Sequence, residues 1–421
     1  MKRLKEFEVN GEKYIFNGNT IELIMSSKID YTNIENISIQ NNNCVILGLK
    51  SICLVLNNNC NLKCSYCFAN KGLYDNPYKQ MQFETAKKAI DLLIKSAEKN
   101  KFNKISIAFF GGEPLLSFEL IKKCVYYVEN LKNNIICEYK ITTNATLFNI
   151  GIIKFMEKYK FNVMVSIDGT KNIHDFYRKY KNNKGSYDDV VKSIIMFKEK
   201  SLLNARITVT DINPIIHSYI DGILQLGIKR ITYAVDYNIS DKAFKEFCQS
   251  IKILIEKYYK DIANGRYYDI TNFSSIIIML ALHQKKFTFC NAGISYLTVS
   301  ADGKIYRCPR FIGNNAYSIG TLNEREKIIE KMKKLKKNLK SSPIERNEEC
   351  YKCVYAYICG GMCYHHAVTK GKHEFDNVDK ECYQRKLVFD NLIELICKLS
   401  KNNRRNLLLY YIKLWKSIKR R

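Results

Sequence analysis

Apolar residues recur along this chain with two alternating periods. Runs of five or six residues rich in Ile, Val and Phe, at 52–56, 105–110, 139–143, 163–167, 205–209 and 230–235, have the length and composition of β-strands. Between them lie segments with apolar positions three and four apart, for example 84–97, 118–131 and 187–198, which predict helices that bury one face. Strands joined by crossover helices make a parallel sheet. Six βα units are too few to close an eight-stranded barrel, so the expected fold is α/β, an open, partial (βα)6 barrel with its functional groups at the strand C-termini. Ahead of it, Asn10-Gly11 and Asn17-Gly18 divide short alternating runs such as Phe7-Glu8-Val9 and Tyr14-Ile15-Phe16, which predicts a β-hairpin region.

The loops after these strands carry the candidate chemistry. After the first come Cys60, Cys64 and Cys67, with Tyr66 before the last. Three thiolates at this spacing fit an iron-sulfur cube with one iron left for a small molecule; alone, they also fit part of a zinc site. After the second strand, Gly111-Gly112-Glu113-Pro114 lets backbone approach a ligand and offers an acceptor for a cation, although such a string is also an ordinary turn. Asn144 follows the third strand, and Ser166 and Asp168 follow the fourth, positions where turn chemistry is equally at home. Further on, Cys290, Cys308, Cys350, Cys353, Cys359, Cys363 and Cys382 form a second field, within which Cys350-x2-Cys353 alone resembles a zinc knuckle.

The Cys-x3-Cys-x2-Cys run with Tyr66, together with Gly-Gly-Glu-Pro at 111–114 and His174-Asp175-x2-Arg178, resembles the radical S-adenosylmethionine (SAM) enzymes, and the seven later cysteines resemble their SPASM extension. The resemblance implies a radical SAM barrel followed by a SPASM/twitch domain, with SAM and three [4Fe-4S] clusters as cofactors. Cys60, Cys64 and Cys67 would hold the SAM-binding, catalytic cluster. Tyr66, Gly111, Gly112, Glu113, Asn144, Ser166, Asp168 and Arg178 would form the SAM site: Glu113 on the methionine ammonium, Arg178 on its carboxylate, and Asn144, Ser166 and Asp168 toward the ribose and methionine end. His174 is expected to be structural. Cys350, Cys353, Cys359 and Cys382 would close an outer auxiliary cluster, and Cys290, Cys308 and Cys363 an inner one. That inner cluster is either open or filled by one of Cys44, Cys53, Cys124, Cys137, Cys248 or Cys397; Cys53 or Cys137 would serve equally as a small buried hydrophobe.

The strings around Cys308 and Cys359-Gly360-Gly361-Met362-Cys363 look most like maturases that install thioethers in ribosomally made, cysteine-rich peptides (sactipeptide or ranthipeptide type). What the resemblance implies is thus a radical SAM oxidoreductase acting on a small precursor peptide and reduced by a donor such as flavodoxin or ferredoxin. The alternatives are an anaerobic sulfatase-maturating type, which oxidises Cys or Ser to formylglycine, and a carbon-carbon crosslinker. In the sulfatase type an aspartate follows the cysteine matching Cys308; here that residue is Pro309.

Composition sharpens this in two places. Sixteen cysteines without an apolar signal segment after Met1-Lys2-Arg3 predict a cytoplasmic protein with reduced or metal-bound thiols and no transmembrane segment. The net charge of +27 invites a nucleic-acid partner, but the basic residues are spread along the chain with no aromatic-basic RNA motif, so none is expected. From 398 to 421 the chain has nine Lys or Arg and no acid, with Leu407, Leu408, Tyr411, Leu414, Trp415 and Ile418 at helical spacing: a packed basic helix, or a face for an acidic leader or a membrane surface. The expected organisation is 1–48 hairpin region, too short for a winged-helix leader-binding domain, 49–238 barrel, 239–288 helical linker, 289–397 SPASM domain and 398–421 basic helix.

Overall fold

The computed structural model describes residues 3–25, 48–74, 78–131, 134–324, 328–332, 334, 343–374, 376 and 378–419; Cys44 and the side chains of Leu414, Trp415 and Ile418 lie outside the described part. Three strands, β1 (Leu4–Val9), β2 (Glu12–Asn17) and β3 (Glu22–Met25), form a separate antiparallel sheet, one strand more than the predicted hairpin. Asn10 and Gly11 turn β1 into β2 with φ of 54° and 77°, as a tight primed turn requires. The second Asn-Gly pair does a different job. Gly18 has no positive φ; a Cβ there would stand 1.9 Å from the carbonyl oxygen of Val354, so glycine lets this sheet touch the second cysteine field. Phe16 stacks on Tyr355, and Lys5 pairs with Asp390, at the same contact.

The main sheet has ten strands. Six parallel ones match the predicted runs to within three residues at each end: β4 (Ser51–Val55), β5 (Lys104–Phe110), β6 (Ile136–Thr143), β7 (Asn162–Ser166), β8 (Leu203–Val209) and β9 (Arg230–Val235). Helices Phe83–Lys99, Phe118–Glu129 and Tyr187–Met196 occupy the predicted crossovers. The segment expected as a helical linker does more: between helices Asp241–Ala263 and Thr271–Ala281, β10 (Asp269–Ile270) adds to β9. At the other edge β11 (Tyr296–Val299) pairs in parallel with β4, and β12 (Lys304–Tyr306) and β13 (Ser318–Thr321) follow antiparallel, so the chain carrying Cys290 and Cys308 is hydrogen-bonded to the barrel.

Strand alternation explains how the site is made. Ile105, Ile107 and Phe109, Val163 and Val165, and Ala205, Ile207 and Val209 are buried in the main core, where they pack against the outer helices. Their neighbours Ser106, Thr142, Ser166, Arg206 and Thr208 face inward and line a cavity of about 1740 Å³. A parallel sheet covered on both faces would carry apolar residues on both; the polar inner positions mark the face left to solvent and ligand. No helix among the described residues is long and apolar enough to cross a membrane.

Candidate active site

Cys60, Cys64 and Cys67 stand in the loop after β4 and line the large cavity. The loop is clipped on one side by Lys63 N donating to Lys179 O (2.8 Å) and on the other by Glu113 N donating to Asn59 O (2.7 Å). Gly112 makes the second clip fit: a Cβ on it would lie 2.0 Å from Asn59 O. Asn144 Nδ2 reaches Cys60 Sγ (3.7 Å) and Asn61 Oδ1 (2.8 Å), and Arg178 Nη1 reaches Cys64 Sγ (3.9 Å). Burial, reinforced by Glu113, pushes the Cys60 thiol up to about 12, so its thiolate needs a bound cation. Soft sulfur donors on a cavity wall, with side-chain N–H groups aimed at them, fit an iron-sulfur cluster. Among the described residues no three His, Cys, Asp or Glu side chains come together as ligands of one ion.

Glu113 is buried and faces the cavity. Its Oε1 accepts from Thr143 Oγ1 (2.7 Å) and Leu115 N (3.0 Å), and Oε2 from Asn144 N (2.8 Å). A carboxylate has about four acceptor positions, so one remains on Oε2 for a ligand donor. Burial pushes Glu113 up to about 7 against the pull of those hydrogen bonds, and an ammonium beside it would favour the carboxylate. Ser166 faces the same space.

Asp168, expected toward the ligand, is not among the residues that line the cavity. It is fully buried and stands behind the cavity wall, where Oδ2 takes Arg178 Nε (2.7 Å) and the Tyr66 hydroxyl and Oδ1 takes Thr208 N (2.8 Å). Its carboxylate therefore orients Arg178 and Tyr66, which do line the cavity. Asn144 is likewise engaged with the cysteine loop and with Thr146. Unlike Asp168, Asn144 also lines the cavity.

His174 is the keystone of this brace. Its Nδ1 accepts from Asp168 N (3.3 Å), which fixes the proton on Nε2; Nε2 donates to Ser186 Oγ (3.0 Å), which donates to Arg178 O (2.7 Å). Burial, and then Arg178 and Lys171 against Asp168 and Asp175, lowers its pKa from 6.5 to about 4. A lowered folded pKa means that the unfolded chain binds the extra proton. Stability from this group is complete above about pH 6.5, falls as the pH drops toward 4, and is constant below. At about 1.4 kcal/mol per unit, wild-type protein should lose about 1 kcal/mol more than His174→Gln between pH 7 and 5.5 in urea denaturation. Equal slopes would show that His174 is not held neutral.

The second field divides in two. Cys290 and Cys308 line the same cavity as the first triplet, and the charges of Cys290 and Cys363 both raise the Cys308 thiol, which burial foremost pushes up to about 11. Cys350, Cys353, Cys359 and Cys382 line a separate small cavity, with Arg385 Nη1 3.7 Å from Cys359 Sγ. Of the leftover cysteines, Cys124, Cys248 and Cys397 are in the main core and Cys137 packs against it. Cys53 alone among those described comes near the inner set: it is buried between the two fields with Val55, Ala69 and Tyr74, and its thiol is coupled to Tyr296 and Cys308. Sequence inspection missed Arg206, Tyr237 and Arg310 on the cavity wall. For Arg206 a signal existed, a charged residue alternating with Ala205 and Ile207 in an apolar strand. Arg310 and Tyr237 have none, because loop positions carry no period.

The family model described as the Radical SAM superfamily matches residues 54–236. An uncharacterised protein of Methanocaldococcus jannaschii is 34% identical over 283 residues, 67% of this chain and 91% of that protein. The cysteine-type anaerobic sulfatase-maturating enzyme of Clostridium novyi is 26% identical over 340 residues (75% and 88%). The radical SAM cyclopropyl synthase TigE of Paramaledivibacter caminithermalis is 26% identical over 369 residues (82% and 74%). A solved structure of anSMEcpe with bound AdoMet superposes with a TM-score of 0.69 at 23% identity, covering 83% of this chain and all of that one, which shows a shared fold.

Proposed function

Because this chain belongs to the radical SAM superfamily and is an enzyme of its peptide- and protein-modifying branch, we propose that it forms cysteine-sulfur-to-carbon thioether links in a small cysteine-rich peptide. The observation that carries this is the single cavity lined by both Cys60, Cys64 and Cys67 and the inner-set residues Cys290 and Cys308. A peptide lying in it would touch both fields at once.

In this proposal Cys60, Cys64 and Cys67 hold the first cluster, and Glu113, Ser166, Arg178 and the backbone of Gly111 and Gly112 hold SAM, with Tyr66, Asn144 and Asp168 orienting those groups. Cys290, Cys308 and Cys363 hold an inner auxiliary cluster, and Cys350, Cys353, Cys359 and Cys382 an outer one. When bound, these groups supply a carbon radical that removes a hydrogen atom from an unactivated carbon, and an acceptor for the remaining electron. The chain's own part is positional. Glu113 offers its remaining lone pair to an ammonium, and Arg178, fixed through Nε by Asp168 and with Nη1 toward Cys64 Sγ, keeps Nη2 for a carboxylate. The barrel wall excludes water from the reacting carbon.

An open inner cluster would let a substrate thiolate bind there. Cys53 is the one described leftover cysteine near enough to matter, and its thiol is engaged with Tyr296 in an apolar pocket. Cys53→Ala is therefore expected to keep the iron and sulfide content of wild type; loss of about four iron per chain would make Cys53 a ligand and close the site.

The second possibility is formylglycine formation, favoured by the similarity to the C. novyi maturase and disfavoured by Pro309 where an aspartate is expected. Reconstituted enzyme with SAM, reductant and a short cysteine-rich peptide encoded nearby should yield a product two hydrogens lighter per link, with one thiol lost to alkylating reagent. An aldehyde product, or unchanged thiols, would overturn the thioether proposal.

A further inference from the structure

Two arginines on the cavity wall have no role in the scheme so far. Arg206 is the one charged residue of β8; it faces the cavity and is register-paired with Ser166. Arg310 follows Cys308 in the short turn Pro309–Phe311, its guanidinium carbon 4.5 Å from the ring centre of Phe68 and 4.8 Å from that of Tyr237. Phe68 is the residue after Cys67, and the Tyr237 hydroxyl lies 3.4 Å from Cys363 Sγ. Arg310 thus stands between the first cysteine triplet and the inner set.

The other arginines around the site are neutralised: Arg178 by Asp168, Arg307 by Glu374 and Arg385 by Glu381. Arg206 and Arg310 make no ion pair among the described residues. The acid whose charge Arg206 feels, Asp168, is already held in its ion pair with Arg178. The two guanidinium groups also feel each other: burial, and then Arg310, draws Arg206 down to about 10, still charged at neutral pH. Two guanidinium groups without an ion-pair partner on one cavity wall favour an added anion, and a planar guanidinium suits a carboxylate.

We propose that Arg206 and Arg310 together bind an Asp or Glu side chain of the substrate peptide, which presupposes the peptide-maturase function and adds to it a rule for substrate choice. The flanking rings Phe68 and Tyr237 hold Arg310 in place by cation–π contact. An acid anchored there sets which neighbouring residue lies between the two cysteine fields.

The test is selection of a displayed library of ten-residue cysteine-containing peptides on the cluster-reconstituted full chain with SAM present. Enrichment of an acidic residue at a fixed spacing from the cysteine is expected, weakened about tenfold in Arg206→Gln and in Arg310→Gln and partly restored by the lysine variants. A charge of +27 will attract acidic peptides in general, but a single substitution barely alters that background, so only a position-specific preference should disappear. SAM affinity by equilibrium dialysis should change less than about twofold, which also reports that the variants fold. Enrichment with no acidic position, or an unchanged preference in both glutamine variants, overturns the site. So does weakened SAM binding with the peptide preference intact, because the pair would then serve the SAM carboxylate. Failure to enrich any peptide sinks the peptide-maturase function itself.

Discussion

Replacing Cys60 with alanine is expected to abolish reductive SAM cleavage, with the product 5′-deoxyadenosine at background and the iron content lower by about one cluster. The effect should be total because a cluster that must leave one iron free for SAM has no spare protein ligand. Cys60 is also the best-tied of the three: its sulfur accepts from Leu62 N at 3.4 Å and from Asn144 Nδ2 at 3.7 Å, so the loop around it is shaped to present that sulfur. Glu113→Gln is the companion measurement. It leaves the three cysteines in place and weakens the acceptor for an ammonium, so iron should be retained while SAM affinity falls. A plain iron-sulfur electron carrier would tolerate both losses of SAM chemistry. Full SAM cleavage by Cys60→Ala would show that Cys60 holds no cluster that SAM chemistry needs.

The second large effect is predicted at a residue with no side chain. Gly112→Ala puts a Cβ 2.0 Å from the carbonyl oxygen of Asn59 and 2.4 Å from its carbonyl carbon. Backbone cannot swing aside as a flexible side chain does, so the loop after β5 and the cysteine loop must separate. The Glu113 N to Asn59 O hydrogen bond of 2.7 Å is then lost. Overpacking of this kind costs about 1–3 kcal/mol or more, and urea denaturation should report it together with poor cluster loading. Gly222→Ala is the matched control: in helix Ile220–Gln225, with nothing within 4 Å of the added Cβ, it should stabilise by about 0.5–1 kcal/mol. If Gly112→Ala behaves like that control, the close approach of the two loops is not a requirement.

Much of the framework was legible in advance because it rests on short-range rules. Buried strands in a parallel sheet are apolar runs of five or six residues, and every one of the six predicted runs is a strand in the expected order. The Gly-Gly-Glu-Pro string was visible too, at the end of its strand, although what holds Gly112 and Glu113, Asn59 on one side and Thr143 and Asn144 on the other, comes from other segments. What the sequence did not show were partners that come from far away. Asp168, expected toward the ligand, is bonded to Arg178, Tyr66 and Thr208. Gly18 resembled a turn glycine, yet its reason is Val354, more than three hundred residues on.

By itself, the sequence determined the element order, the parallel sheet and the two cysteine fields, because hydrophobic period and ligand spacing are properties of neighbouring residues. Only the tertiary structure decided that the two fields share one cavity, through the pairing of β11 with β4, and that Arg206 and Arg310 stand on its wall with no ion pair among the described residues. Those facts depend on which distant segments pack together, and packing is set by the summed burial of the whole core, which no local pattern encodes.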